Sequence, residues 1–245
     1  MMGGLLKWEL KQTFSSKAFW ITGAALVAIP ALMLMMTLKD GDFTGYEAYL
    51  EGLNNYSSFM MLMIGVFAGI HVTGAFEGRK IQAAVMAGNS RIRILLAKFF
   101  SYSAATALFS IVSLAVSTAV AFAIKGTGGI EGTFARSVIA RTVVFMVVEV
   151  GYASACFLSS MYVRHLGGAI GLNLMLMMAL NIAAQTLIEH KWAEKYLRMV
   201  PAGQAIFVIA DFSNKNVIMA LSSAVIAFTA VLVLSYVKFG KEELK

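Results

Sequence analysis

Apolar residues in this chain gather into long runs separated by short polar stretches. Six runs approach or exceed the roughly 20 mostly apolar residues that a membrane-spanning helix needs. They are Ala18–Leu38, Phe59–Phe76, Phe99–Ile124, Val138–Val163, Leu166–Ile188 and Val217–Val237. The second is short, at 18 residues. Pro30 lies inside the first and predicts a kink there, which neighbouring helices can accommodate. Arg141 and Glu149 interrupt the fourth. The first run is too long for the 7–15-residue core of a secretory leader and no small-x-small cleavage site follows it, so it reads as a span. The pattern predicts an all-α polytopic membrane protein with six transmembrane helices in a single transmembrane domain, residues 1–245.

The polar stretches differ in character. Lys39–Ser58 is polar and acidic and reads as an external loop, Lys125–Ser137 is short and Gly-rich, and Arg164–His165 is a tight turn. Glu189–Asn216 begins charged. It then runs apolar over Pro201–Phe212, which is too short to span and predicts an interfacial or re-entrant segment.

Two further stretches are amphipathic. Near the N-terminus Leu6, Leu10 and Phe14 recur at i, i+4 and i+8, with Trp8 beside them and Lys7, Glu9 and Lys11 on the polar side. That spacing predicts an interfacial helix leading into the first span. The loop Glu77–Lys98 predicts a short helix over Glu77–Ala87 with Ile81, Val85 and Met86 on its apolar face. Gly88-Asn89 would stop it, because both residues tolerate positive φ, and Ser90 would cap the next span.

Composition agrees with the pattern. Hydrophobic residues make up 59% and charged residues 13%, against roughly 45–50% and about 25% in soluble domains. Mean hydropathy is +0.77. A soluble enzyme, a nucleic-acid-binding domain and a disordered chain are excluded on these grounds. The lone Cys156 leaves no intramolecular disulfide.

The net charge of +7 is unevenly placed. Six spans put both termini on one side. That side collects 12 basic and 4 acidic residues, while the spans and the other side hold 8 and 9. Lys and Arg concentrate on the cytoplasmic face, so both termini are expected to be cytoplasmic.

No catalytic constellation appears. The only Gly-Lys pair, Gly240-Lys241, is followed by Glu242, so the chain lacks a phosphate-binding loop of the G-x-x-x-x-G-K-[ST] form. His71, His165 and His190 are widely separated, and no metal site is expected. Intramembrane polar groups are the remaining candidates. Glu149 is foremost, since a carboxylate near a helix centre costs at least ~2.5 kcal/mol to insert. It reads as a path-lining or proton-binding group, or as a hydrogen-bonded packing residue. Asn173 and Asn181 share one face of the fifth span with Met177 beside them, as interhelical hydrogen bonders or as a polar stripe along a path. Gly65-x-x-x-Gly69, Gly74-x-x-x-Gly78 and Gly167-x-x-x-Gly171 permit close helix approach. Three methionine clusters, around Met35, Met61 and Met177, suit packing, lipid contact or a soft apolar cavity.

The stretches LLKWELKQTFSSKAFWI and FEGRKIQAAVMAGNSRIRILLAKFF, with six spans and an apolar partial insertion before the last, resemble the membrane-spanning subunit of a type-2 ABC transporter. The resemblance is to the small bacterial exporter class that includes peptide-exporter and bacteriocin-immunity permeases. It implies that Glu77, Arg79, Lys80, Ile81, Gln82, Val85 and Met86 form a coupling helix seated on a separate ATPase subunit. It implies that Leu6, Trp8, Leu10 and Phe14 belong to a connecting helix, and that Pro201–Phe212 is part of an extracellular gate. Two permease subunits, identical or homologous, would share one path in a bacterial plasma membrane, with ATP and Mg bound by the partner ATPase and no cofactor in this chain. The substrate path candidates are then Glu149, Asn173, Met177 and Asn181. An ion-coupled transporter using Glu149, a membrane enzyme and a non-transporting immunity or scaffold protein are the competing readings.

Overall fold

The computed structural model describes residues 2–130, 133–187 and 190–241. Ile188, at the end of the expected fifth span, and Glu131, Glu189, Glu242, Glu243 and Lys245 of the charge count lie outside them. Among the described residues every regular element is helical: α1 (Met2–Phe14), α2 (Lys17–Asp40), α3 (Gly45–Ala68), α4 (Gly74–Glu77), α5 (Lys80–Met86), α6 (Arg91–Lys125), α7 (Arg141–Tyr162), α8 (Leu166–Leu187), α9 (Lys191–Leu197), α10 (Pro201–Ala210) and α11 (Asn214–Lys241). A π-helical turn, Gly69–Thr73, joins α3 to α4, and a second, Ala135–Ala140, leads into α7.

Six helical segments are long and apolar enough to cross a membrane: Lys17–Lys39, Gly45–Glu77, Arg91–Lys125, Arg136–Tyr162, Leu166–Leu187 and Asn214–Gly240. The protein is a multi-pass helical membrane protein. Its burial pattern fits that solvent. Trp20, Ile21, Met36, Met175 and Ile226 face outward, while Ser101, Thr106, Ser110, Ser113 and Ser117 of α6 are buried. Lipid tails give helices no hydrophobic reason to associate, so small and hydroxylated residues fill the contacts.

Two ends of the bundle follow from its contacts. At one end the Glu77 carboxylate accepts from the Leu166 amide, and Phe76 packs edge-on to Phe239. Lys238 lies over the Tyr162 ring at that end. At the other, the Tyr46 amide donates to Gly128, Lys125 donates to Gly41, and Arg136 donates to Asn214. The last turns of α11 lie at the first end, and α1 joins it through the Glu9–Lys98 pair near the start of α6; it is here termed the terminal end. α3 holds the centre, touching α2, α6, α7, α8 and α10.

The second span differs most from expectation. It begins at Gly45 and covers 33 residues to Glu77, so most of the expected loop Lys39–Ser58 is helix. A capping box starts it: the Glu47 amide donates to Thr44 Oγ1 at 3.3 Å, and the Thr44 amide donates back to Glu47 Oε2 at 2.8 Å. Tyr49, Leu53 and Tyr56 then bury one face. The helix expected over Glu77–Ala87 is broken. Glu77 ends α4, Arg79 adopts a left-handed φ of 54°, and α5 starts only at Lys80. Gly88 does take the positive φ of a helix stop, at 82°. Ser90 sits at the cap of α6 without a side-chain capping bond. α2 runs through Pro30 as one helix.

Candidate functional site

The long second span changes which residues lie among the helices. Asn54, Ser57, Ser58 and Met61 are spaced at i, i+3, i+4 and i+7 along α3, so they share one face. Opposite them α8 presents Asn181 and Gln185, and α10 presents Ile206 and Ile209. Together these eight residues line a cavity of about 320 Å³. Its polar walls are partly pre-ordered: Gln185 Nε2 donates to Asn181 Oδ1 at 2.9 Å, and Asn181 Nδ2 reaches Met61 Sδ at 3.1 Å.

Glu149 lies behind this wall. Ser57 Oγ donates to Glu149 Oε1 at 2.6 Å, the carboxyl is fully buried, and Oε2 has no hydrogen-bond partner. Ser57 thus stands between the cavity and a buried carboxyl group. Arg141, two turns earlier on α7, goes elsewhere. Its Nη1 donates to the Ile209 carbonyl at 2.8 Å, and its guanidinium stacks over Tyr46 and Phe212. It pins the end of α10 to α7, and among the described residues Glu149 has no cationic partner.

α10 is placed by its own chemistry. Pro201 opens the helix, where its missing N–H is no loss. Arg198 binds Glu194 at 2.8 Å and Asn216 at 2.7 Å and stacks on Phe207 at 4.1 Å, tying α9, α10 and α11 together. At ten residues α10 is about 15 Å long, half a bilayer core.

The other sequence candidates fall in different places. Asn173 is buried and holds three helices: its Nδ2 donates to Gly65 on α3 at 2.9 Å and to Ser160 on α7 at 2.8 Å, and its Oδ1 accepts from Ser159. It does not line the cavity. Met177 is buried in the core. Of the methionine clusters, only Met61 reaches the cavity, while Met33, Met35, Met36, Met175 and Met178 face outward. The glycine motifs also divide. A Cβ on Gly65 would meet Asn173 at 2.9 Å, whereas Gly167 and Gly171 have nothing within 4 Å.

At the terminal end, α1 and α5 flank an open groove of about 590 Å³ lined by Leu5, Trp8, Lys80, Ala83 and Ala87 among others. Ile81 anchors α5 in the core, with Gln82 and Val85 half-buried, while Met86 is 82% exposed. Arg79 and Lys80 are exposed beside it. On α1, Trp8 is exposed and Leu6, Leu10 and Phe14 are half-buried. Glu9, which the sequence pattern places on the polar outer side, faces inward together with Thr13. It forms a buried ion pair with Lys98 on α6 at 3.1 Å. His71, in the π-helical turn, contacts Ser101 nearby. Pairing explains why Glu9 can turn inward: a buried carboxylate stays ionised only against an opposite charge, which Lys98 supplies.

Among the described residues no three His, Cys, Asp or Glu side chains come together as a metal site. No family model matches the sequence, and no curated protein matches it.

Proposed function

We propose that this chain is the membrane-spanning permease subunit of an ATP-driven exporter of the ABC type. It moves a hydrophobic or amphipathic substrate, such as a peptide, out of a bacterial cell across the plasma membrane. A separate ATPase binds ATP and Mg, and a second permease subunit, identical or homologous, completes the path. Both termini lie in the cytoplasm, where the basic residues collect.

The observation that carries this reading is the terminal-end layer. α5 is a seven-residue helix inserted between two spans, rooted by buried Ile81 and presenting Met86, Ala83 and Lys80 outward. Through α4 it joins the 33-residue second span, and through Gly88–Ser90 it joins α6. A push on α5 is therefore delivered to both helices at once. The π-helical turn Gly69–Thr73 lies just above it, a deformation frequent at working sites. In this reading α10 is the re-entrant segment at the extracellular end, and the cavity beside Glu149 lies on the substrate path.

Co-purification tests the reading. The chain should capture a nucleotide-binding subunit encoded beside it, and Met86→Asp should abolish capture without changing the thermal stability of the purified chain. Capture that survives Met86→Asp and Ala83→Asp together would reject α5 as the docking element.

One observation favours a second reading. The unpaired Oε2 of Glu149 suits ion-coupled transport by this chain alone. Gradient-driven flux in proteoliposomes containing only this chain would establish that reading, and flux requiring ATP and the partner would reject it.

A further inference from the structure

The cavity between α3, α8 and α10 has a specific chemical polarity. Its walls offer the oxygens of Ser57, Asn54 and Gln185, the thioether of Met61 and the apolar side chains of Ile206 and Ile209. Among the described residues no Lys, Arg or His lines it. One carboxyl group stands directly behind Ser57, with Oε1 held at 2.6 Å and Oε2 unpartnered in a fully buried position. The nearest guanidinium on the same helix, Arg141, is committed to the Ile209 carbonyl and two rings. Its guanidinium is thus tied to the backbone of Ile209 and is not among the groups that line the cavity.

We propose that this cavity binds the ammonium end of an amphipathic amine. The ammonium group donates to Ser57 and the side-chain amides, and Glu149 supplies the counter-charge. Three observations converge on an amine. The buried Glu149 carboxyl keeps one oxygen unpartnered and, among the described residues, has no cation of its own, so its ionised form persists only when a cation joins it. The hydroxyl and amide oxygens accept hydrogen bonds but carry no charge to repel a cation. Ile206 and Ile209 give the remainder of the molecule an apolar wall, which an inorganic ion would not need. The volume, about 320 Å³, is at the lower end of the range for small-molecule pockets, so it takes a head group and a short alkyl segment. That this amine is the exported substrate rests on the exporter reading. Binding itself needs no ATPase, so the two ideas fail separately.

The test uses the full chain in lipid nanodiscs and a dansyl-labelled decylamine, with the corresponding dansyl-labelled alcohol as an uncharged control. The amine should bind with a Kd at least tenfold tighter than the alcohol. Glu149→Gln should remove that preference and leave alcohol binding unchanged. Gln185 is exposed at the rim, so its variants keep the fold. Gln185→Glu should tighten amine binding severalfold, and Gln185→Lys should weaken it by tenfold or more. Equal amine binding by the wild type, Glu149→Gln and Gln185→Lys overturns the proposal. Displacement of the amine by millimolar sodium or potassium, but not by choline, also overturns it, because the cavity would then be an inorganic-cation site.

Discussion

At Gly65 the backbone of α3 lies so close to α8 that an added Cβ would stand 2.9 Å from the Cβ of Asn173. Asn173 cannot yield easily, because it is bonded to α3 and α7 at once. Gly65→Ala should therefore destabilise the protein: overpacking costs about 1–3 kcal/mol, only partly offset by the ~1 kcal/mol gain in helix propensity. Gly171→Ala, in open space on α8, should keep that gain and leave the unfolding midpoint level or higher. Thermal unfolding of both variants in nanodiscs checks this, and equal midpoints would show that Gly65 is not a contact point. The Glu9–Lys98 pair makes a second residue-level case. The two side chains are 4% and 6% exposed. Removing one partner of a buried pair strands the other, at a cost of about 3–5 kcal/mol. Glu9→Leu and Lys98→Met should each loosen α1, while the double variant should lose much less than the two losses combined. A double-mutant cycle on unfolding midpoints, with protease cutting of α1 as the local readout, measures the coupling, and strict additivity would deny it.

At the scale of the element, α5 owes its independence to two residues. Gly78 and the left-handed Arg79 separate it from α4. A non-glycine residue in that conformation costs roughly 1–2 kcal/mol, so an arginine there is retained against its conformational preference. Arg79→Gly should hold or raise thermal stability. If the guanidinium serves docking, the same variant should reduce capture of the ATPase, and unchanged capture would remove Arg79 from the docking surface. Such breaks are hard to foresee, because Gly78 is the one helix-weakening residue in Glu77–Ala87 and a lone glycine does not by itself end a helix. The start of α3 carries a local signal that the apolar runs do not show. Thr44-x-x-Glu47 is a capping box, and Tyr49, Leu53 and Tyr56 follow at helical spacing. Hydropathy alone ranks that stretch as a loop, because Asn54, Asn55, Ser57 and Ser58 lower its mean. These same polar residues build the cavity wall, so reading them as a loop hides the site. Glu149 is visible in the sequence as a carboxylate inside an apolar run. Its partner Ser57 is not, being 92 residues away. Glu9 was hidden for the same reason: a helical pattern shows a polar face but not the Lys98 that waits 89 residues on.

For the whole molecule, orientation is a matter of which end faces the cytoplasm. The contacts of Glu77, Leu166, Phe76 and Phe239, with the Glu9–Lys98 pair, place α5, α1 and the last turns of α11 at one end, and those of Tyr46, Gly128, Arg136 and Asn214 place the residues flanking α10 at the other. Arg79, Lys80, Arg91, Arg93 and Arg164 all belong to the terminal end. Basic residues flanking spans are retained on the cytoplasmic side during insertion, so that end should be internal. The protein supplies a clean background for the test, since its single Cys156 is fully buried among the spans. Thr133→Cys and Ser90→Cys each add one exposed thiol, at the α10 end and the terminal end respectively. A membrane-impermeant maleimide applied to intact cells should label Thr133→Cys, and should reach Ser90→Cys only after permeabilisation. The reverse pattern would turn the molecule over. α5 would then lie outside, where no cytoplasmic ATPase reaches it, and the amine-binding cavity would belong to an uptake path or to none.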